Sequence, residues 1–147
     1  MIEGPPRGGG GDTLFSNQYA VYDLLSPGYQ TYLEGLTALH SAHEQAQGSR
    51  DAGRPVRREP ITTEHPLVRV NPVTGYKSIY YNPGFVVAIK GVPKLESEAV
   101  MTYLDQLITG TAEIQARVQW APGTIVFWDN RAVVSNSLRC VRLEGWD

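Results

Sequence analysis

The sequence predicts an α+β chain, because segments with helical spacing of apolar residues alternate with short β-rich runs. Two helical segments lie near the start, and a longer amphipathic segment separates two pairs of β-rich runs. Turn residues within each pair favour antiparallel hairpins. We therefore expect helices packed beside antiparallel strands in a single domain over residues 1–147.

The front of this domain is predicted to contain two short helices and one strand. Residues 17–25 carry tyrosines and leucines at helical spacing, and the Ser-Pro-Gly at 26–28 ends that pattern. Residues 29–36 show a second apolar stripe, and residues 37–43 are typical of a strand. The composition then changes to Gln, Gly, Ser, Arg and Pro over residues 44–64, which predicts a loop or lid.

A hairpin and the longest helix are predicted for the middle of the chain. Residues 65–71 and 76–82 are β-rich, and the Pro-Val-Thr-Gly at 72–75 has strong turn chemistry. Residues 95–108 carry apolar side chains on one helical face, and Gly110 follows near the expected helix end.

A second hairpin is predicted near the end of the domain. Residues 114–120 alternate apolar and polar side chains, the Ala-Pro-Gly at 121–123 forms a turn, and residues 124–128 are predicted to be its second strand. Residues 1–9 are expected to be a flexible start and residues 135–147 a divergent tail.

Composition excludes several classes of partner. The 147 residues are 41% hydrophobic, which is enough for one core. Thirteen basic residues against fifteen acidic ones give a net charge of −2, so no nucleic acid or anionic membrane partner is expected. The only cysteine, Cys140, excludes an internal disulfide, and no signal-like or bilayer-length apolar run is present. We expect a cytoplasmic protein with a small-molecule partner.

Three motifs occur in a characteristic order: GGDTLF at residues 10–15, YYNPGF at 80–85 and WDNR at 128–131. With these motifs, residues 9–134 resemble the taurine dioxygenase-like (TauD/TfdA) family of Fe(II)- and 2-oxoglutarate-dependent dioxygenases, and fungal sulfonate dioxygenases most of all. The resemblance implies a double-stranded β-helix, or jelly roll, with flanking helices and incomplete at both ends. It also implies that complete relatives oxidise a small substrate, sulfonates included, and release succinate and CO2.

The resemblance implies an iron site of two histidines and one carboxylate. The family's His-x-Asp pair would precede Thr13, but none of the twelve residues before it is a histidine. The third ligand would stand four residues after Arg131, where this sequence has Ser135. Arg139 and Arg142 follow Ser135 too closely to match the family's cosubstrate arginine. A shortened gene model, a mis-spliced product or a degenerate paralogue would each give this pattern.

The resemblance also assigns roles to three residues. Thr13 matches the position whose hydroxyl binds a carboxylate of 2-oxoglutarate; the alternative is an ordinary threonine at a strand start. Phe85 matches an aromatic residue of the substrate pocket, or it is a core phenylalanine. Asn82 either touches substrate or shapes the turn before Pro-Gly, and the turn is the favoured interpretation.

Asp129, Asn130 and Arg131 are predicted to form the turn that would orient the third ligand, with side-chain atoms satisfying local backbone groups. A different metal site could use His40, His43 and His65. Residues three apart in a strand point to opposite faces, so that site requires a helix or a bulge, and ordinary polar roles are favoured.

Two function hypotheses follow. In the first, the protein is a dioxygenase family member whose complete form uses Fe(II) and 2-oxoglutarate. In the second, the 147 residues are a non-catalytic remnant or pseudoenzyme that serves as a small-molecule-binding or protein-interaction module. Loss of the recognisable iron ligands predicts inactivity of this chain alone, and exposed sheet edges would allow self-association.

Overall fold

The computed structural model describes residues 11–137, and these form an α+β arrangement of helices and antiparallel strands. The helices are α1 (Gln18–Asp23), α2 (Pro27–Glu34), α3 (His43–Asp51) and α4 (Lys94–Gly110). The strands are β1 (Thr13–Asn17), β2 (Thr37–Ser41), β3 (Thr62–Pro66), β4 (Val68–Val70), β5 (Lys77–Ile79), β6 (Val86–Lys90), β7 (Gln115–Val118) and β8 (Val133–Ser137). A 3₁₀ turn at Ala112–Ile114 joins α4 to β7. None of the helices in this range is both long and apolar enough to cross a membrane.

The strands form two three-stranded sheets and one hairpin. The first sheet has the order β7-β1-β8, and the second has the order β3-β2-β6. Strands β4 and β5 pair with each other. All of these pairings are antiparallel, and a bulge between Leu39 and His40 shifts the register of β2 against β6.

The core lies between the helices and the second sheet. Helix α4 buries Val100, Leu104 and Ile108, which are four residues apart and therefore share one helical face. Removing a leucine-sized side chain from water contributes about 1.5–3 kcal/mol, so this face accounts for much of the helix's stability. Its neighbours in the core include Val21, Leu33, Ala38, Leu67 and Ile79, all fully buried.

Buried serines connect α4 to both sheets. The Ser16 hydroxyl in β1 donates a hydrogen bond to the Ile108 carbonyl at 3.0 Å. The Ser97 hydroxyl in α4 accepts a hydrogen bond from the Ile89 backbone N–H of β6 at 2.8 Å. Because an unpaired buried polar group is costly, these bonds fix the helix relative to β1 and β6.

Several predicted elements are present. Helices α1, α2 and α4 match the predicted helices at 17–25, 29–36 and 95–108. Strand β2 lies within the predicted 37–43 run. The hairpin of β4 and β5 is also confirmed, with its turn at 72–75.

Residues 44–64 differ from the predicted loop or lid. Their first part belongs to α3, and their last three residues belong to β3, which pairs with β2. The helix places Glu44 in its first turn and Arg50 in its last, which suits the helix dipole, and it buries Ala46. The glycine and serine content concealed this pattern.

The predicted second hairpin is wrong. Strand β7 forms within residues 114–120, but it pairs with β1, and residues 124–128 contain no strand. A strand requires a neighbour for its backbone hydrogen bonds. Strand β7 has β1 as its partner instead, and residues 124–128 pair with no strand of the described range, with Ile125 and Phe127 exposed at 73% and 91%. The predicted tail beyond Ser137 and most of the predicted flexible start lie outside the described residues.

Candidate functional site

A cavity of about 290 Å³ lies beside the second sheet, between β2, β3, the β5–β6 connection and the start of β8. This volume suits a small organic molecule. Its lining is a mixture of apolar and uncharged polar side chains: Gln18, His40, Ser41, Ala42, Ile61, Thr63, His65, Ile79, Tyr80, Tyr81, Asn82, Phe85, Asn130, Val133 and Val134.

The turn at 82–85 brings Asn82 and Phe85 to this cavity. The Asn82 side-chain oxygen accepts a hydrogen bond from Gly84 N–H at 2.8 Å, and its carbonyl accepts from the N–H groups of Phe85 and Val86. A Cβ on Gly84 would come within 3.3 Å of the Asn82 oxygen, so glycine keeps this turn tight. Asn82 therefore shapes the turn and also lines the cavity.

Three rings form one wall of the cavity. His40 stacks on Tyr80 with ring centroids 5.2 Å apart, and the His65 ring meets His40 edge-on at 5.0 Å. The Arg69 guanidinium lies 4.6 Å from the Tyr80 ring centroid. Burial lowers the pKa of His40, and the neighbouring His65 lowers it further. The His40 ring is therefore held in its neutral form near pH 7.

Two buried polar atoms at the cavity have no hydrogen-bond partner among the described residues. They are the Gln18 side-chain oxygen, Oε1, and the His40 ring nitrogen Nε2. Gln18 is the first residue of α1 and is only 1% exposed.

Thr13 and Ser135 lie on the first sheet, outside the cavity lining. In the β1–β8 register, Phe15 is opposite Ser135 and Thr13 is opposite Ser137. Residues two apart in a strand share a face, so Thr13 and Ser135 are diagonal neighbours on one face of the sheet. The Thr13 hydroxyl accepts a hydrogen bond from Trp120 Nε1 at 3.0 Å.

The turn at 129–131 leads directly into β8. The Asp129 side chain accepts from Arg131 N–H at 2.9 Å and forms an ion pair with the Arg131 guanidinium at 2.8 Å. These bonds lower the pKa of Asp129 to about 2. Asn130 Oδ1 accepts from Trp128 Nε1, and the buried Ser78 hydroxyl donates to the Arg131 carbonyl at 3.0 Å. The turn is thus fixed from both ends, and Ser135 follows four residues after Arg131.

The described residues do not fit an iron centre. No group of three or more His, Cys, Asp or Glu side chains is placed to hold a metal within residues 11–137. His40 and His65 meet at the cavity, but His43 is exposed at the start of α3, so the alternative histidine site is not formed. These three are the only histidines of the sequence, and the hydroxyl of Ser135 is a poor ligand for Fe(II).

Comparison with known families shows the family to which this chain belongs. The sequence profile of the family described as "Taurine catabolism dioxygenase TauD, TfdA family" matches residues 1–134. The chain belongs to the TauD/TfdA family. The match confirms the relationship indicated by the three motifs. This family is Fe(II)- and 2-oxoglutarate-dependent.

Several curated relatives of this TauD/TfdA chain are fungal enzymes. An α-ketoglutarate-dependent sulfonate dioxygenase of Saccharomyces cerevisiae is 41% identical over 133 residues, covering 90% of this chain and 32% of the relative. An α-ketoglutarate-dependent dioxygenase of Penicillium expansum is 41% identical over 134 residues, covering 89% of this chain and 37% of the relative. α-Ketoglutarate is another name for 2-oxoglutarate. The chain therefore spans about a third of the length of these relatives.

Solved structures confirm the jelly-roll fold class. A taurine dioxygenase from Burkholderia xenovorans superposes with a TM-score of 0.74 and 34% identity, over 91% of this chain and 42% of that chain. AAD-2, crystallised with Mn(II) and N-oxalylglycine, superposes with a TM-score of 0.71 at 24% identity, which supports the fold alone. The present chain covers part of the TauD-type jelly roll.

Sequence reasoning did not select Gln18, His40 or Tyr80 as cavity residues. His40 and Tyr80 come together only because β2 and the β5–β6 connection meet in the folded chain. Gln18 directly follows the helix cap Asn17, a position that is usually solvated. It is buried in the folded chain, where its backbone N–H donates to the Ala132 carbonyl at 2.9 Å and α1 packs against β5. A polar residue inside an otherwise apolar helix face was the one available signal.

Proposed function

We propose that the complete fold is an Fe(II)- and 2-oxoglutarate-dependent dioxygenase of small molecules, with a sulfonate as the leading substrate class. We further propose that the 147 residues alone supply the substrate-side cavity without a working iron centre. The single observation that carries the second statement is Ser135, which stands on β8 where the family resemblance implies a histidine.

The turn before Ser135 supports this proposal. Asp129, Asn130 and Arg131 retain a tightly hydrogen-bonded turn, so the position they orient is well defined even though its side chain is a hydroxyl. Thr13 lies diagonal to that position on the same sheet face. Its hydroxyl accepts from Trp120 and still has a proton to donate. We propose that Thr13 contacts a 2-oxoglutarate carboxylate in the complete fold.

The cavity gives the substrate-side part of the proposal. Phe85 supplies apolar surface, Asn82 and Asn130 supply uncharged polar groups, and the volume of about 290 Å³ suits a small molecule. We propose Phe85 and Asn82 as substrate contacts. The alternative, a pseudoenzyme, would bind a small molecule in the same cavity without catalysing a reaction.

An anaerobic titration with Fe(II) and 2-oxoglutarate tests the missing iron centre. Calorimetry would measure binding, and the visible charge-transfer band of chelated iron would report coordination. We expect neither heat nor band from the folded chain, because no described cluster offers three ligands. Metal-dependent binding of 2-oxoglutarate would contradict the proposal.

A matched pair of variants tests whether Fe(II) binding depends on the position of Ser135 or only on an added histidine. Ser135→His places an imidazole at the family position, whereas Asn136→His places it on the opposite face of the same strand. Tighter Fe(II) binding in Ser135→His alone would show that the β8 position still faces the family's metal region. Equal effects of both variants would remove Ser135 as the carrying observation.

Self-association is the second candidate function, and one observation favours it. Ile125 and Phe127 are exposed at 73% and 91%, and within the described residues β7 and β8 each have an unpaired outer edge. Exposed edges and apolar side chains promote pairing between chains. We expect sedimentation velocity to show concentration-dependent dimers that Phe127→Ser weakens. The control Val73→Ser, at an equally exposed turn residue, should leave them intact, and a monomer at all concentrations would exclude this candidate.

A further inference from the structure

The cavity contains a pair of hydrogen-bonding atoms that the fold itself does not use. Gln18 Oε1 and His40 Nε2 are both buried and both without a partner among the described residues. Leaving such groups unpaired costs free energy of about 1–3 kcal/mol each, so proteins rarely retain them unless a ligand or water completes them. Both side chains line the same cavity of about 290 Å³.

The orientation of the Gln18 amide follows from its neighbour. Its Nε2 donates a hydrogen bond to the Ser16 carbonyl at 3.3 Å. A carbonyl only accepts, so reversing the amide would place two acceptors against each other. The oxygen is therefore the amide atom that lacks a partner among the described residues, and it requires a hydrogen-bond donor.

The orientation of the His40 ring is fixed by neighbouring rings. Stacking on Tyr80 and edge contact with His65 hold its plane. A neutral imidazole has one nitrogen that donates and one that accepts. His40 Nε2 can therefore complete a hydrogen bond with a ligand that offers either role, whereas Gln18 accepts only.

The charge of the lining restricts the ligand further. None of the cavity-lining residues identified in residues 11–137 is Asp, Glu, Lys or Arg. Transfer of an isolated charge into such a site is costly unless it is paired. An anionic group, including a sulfonate, would find neither a lysine nor an arginine in this lining.

We propose that this cavity binds an uncharged group carrying an N–H or O–H donor, which Gln18 Oε1 accepts while His40 Nε2 completes a second hydrogen bond. We identify that group as the non-reacting, uncharged end of the substrate, and only this identification rests on the proposed function. An anionic end would then lie outside this cavity. A primary amide supplies both a donor and an acceptor and is the simplest group of this class.

Three probes of equal size test the proposal with the full chain. Butanamide offers N–H donors, 2-pentanone replaces the NH2 group by a methyl, and butanoate replaces it by a charged oxygen. Protein-observed NMR titrations at millimolar probe would give each dissociation constant and map the shifted residues. We expect butanamide to bind at least about fivefold more tightly than the other two, since an unpaired buried acceptor is satisfied only by a donor.

Two variants and their controls identify the residues responsible. Gln18→Met should weaken butanamide binding about fivefold and leave 2-pentanone unchanged. His40→Phe keeps the stacked ring and should reduce butanamide binding in the same direction. The matched controls are Gln47→Met and His43→Phe, which lie at exposed positions of α3.

Equal binding of the three probes, or no binding of any, would overturn the proposal and assign ordered water to the two atoms. The discrimination among probes in the unmodified chain decides the matter even if Gln18→Met fails to fold. No iron or 2-oxoglutarate is present in these titrations. Failure here is therefore distinguishable from failure of the proposed dioxygenase function.

Discussion

Helix α4 and residues 124–128 both carry apolar side chains, but these side chains have opposite environments. In α4, Val100, Leu104 and Ile108 are at most 3% exposed. In the second segment, Ile125 and Phe127 are 73% and 91% exposed. Apolar patterning is thus a good guide to burial in the helix and a poor one in the predicted strand.

The difference arises from how a helix and a strand form their backbone hydrogen bonds. A helix forms its hydrogen bonds within itself, so an apolar face needs only a surface to pack on. A strand needs another strand, which must be free to accept it. In the described part of the chain, residues 124–128 pair with no strand, so no sheet holds their apolar side chains against the core.

The largest expected effect tests the packed side of this comparison. Leu104→Ala should lower the free energy of unfolding by about 3 kcal/mol, because it leaves a cavity in the core. Leu95→Ala, on the same helix at 79% exposure, should change it by less than about 0.5 kcal/mol. Urea unfolding at 25 °C measures both, and similar losses for the two variants would contradict the packing of α4.

A smaller effect is expected at the end of the exposed segment. The Trp128 ring meets Phe15 edge-on with centroids 5.2 Å apart. Trp128→Ala should therefore cost about 1 kcal/mol. Phe127→Ala should cost less than about 0.5 kcal/mol, since its side chain is almost fully exposed. A larger loss from Phe127 in the same urea assay would show that this segment is packed in solution.

The pH dependence of stability tests the environment of His40. Its pKa in the folded chain is below the ordinary 6.5, so the unfolded chain binds the proton more tightly. The stabilising contribution is complete above about pH 6.5 and is lost as pH falls toward the folded pKa. The urea midpoint should decline between pH 7.5 and pH 5.5, and less so in His40→Phe. His43→Phe should retain the full decline, and identical profiles for all three proteins would refute the burial of His40.

The smallest effect is local to the turn before β8. Asp129 should titrate near pH 2 rather than 3.8 in a carboxyl NMR titration. Because its folded pKa is depressed, its contribution is present above about pH 3.8 and is lost as pH falls to about 2. Arg131→Gln should return the pKa toward 3.8, whereas Arg117→Gln, whose partner is Asp12, should not. An ordinary pKa in the unmodified chain would show that the ion pair does not persist.

Local signals predicted the elements that depend on local interactions. The helix at 95–108 and the hairpin around 72–75 follow from side-chain spacing and turn chemistry, and both are present. The pairing of β7 with β1 joins segments about a hundred residues apart, and nothing in the alternation of 114–120 specifies that partner. Helix α3 was concealed by residues that are common in loops.

The candidate site also contains residues that the sequence indicates and residues that only the folded chain brings together. The motif at 80–85 and the turn at 129–131 are each a short continuous stretch of sequence, so their residues can be selected from the sequence alone. The wall of His40, His65 and Tyr80 requires β2, β3 and the end of β5 to meet. Gln18 is recognisable only from its burial and its unused oxygen.

The hydrogen bond from Trp120 to Thr13 gives the chain a built-in optical reporter. Indole emission depends on the polarity around the ring and on what its N–H contacts. A carboxylate that took the Thr13 hydroxyl as its donor would change that contact directly. Cosubstrate binding in a reconstituted fold could therefore be followed by tryptophan fluorescence, with Trp120→Phe identifying the signal and no label attached.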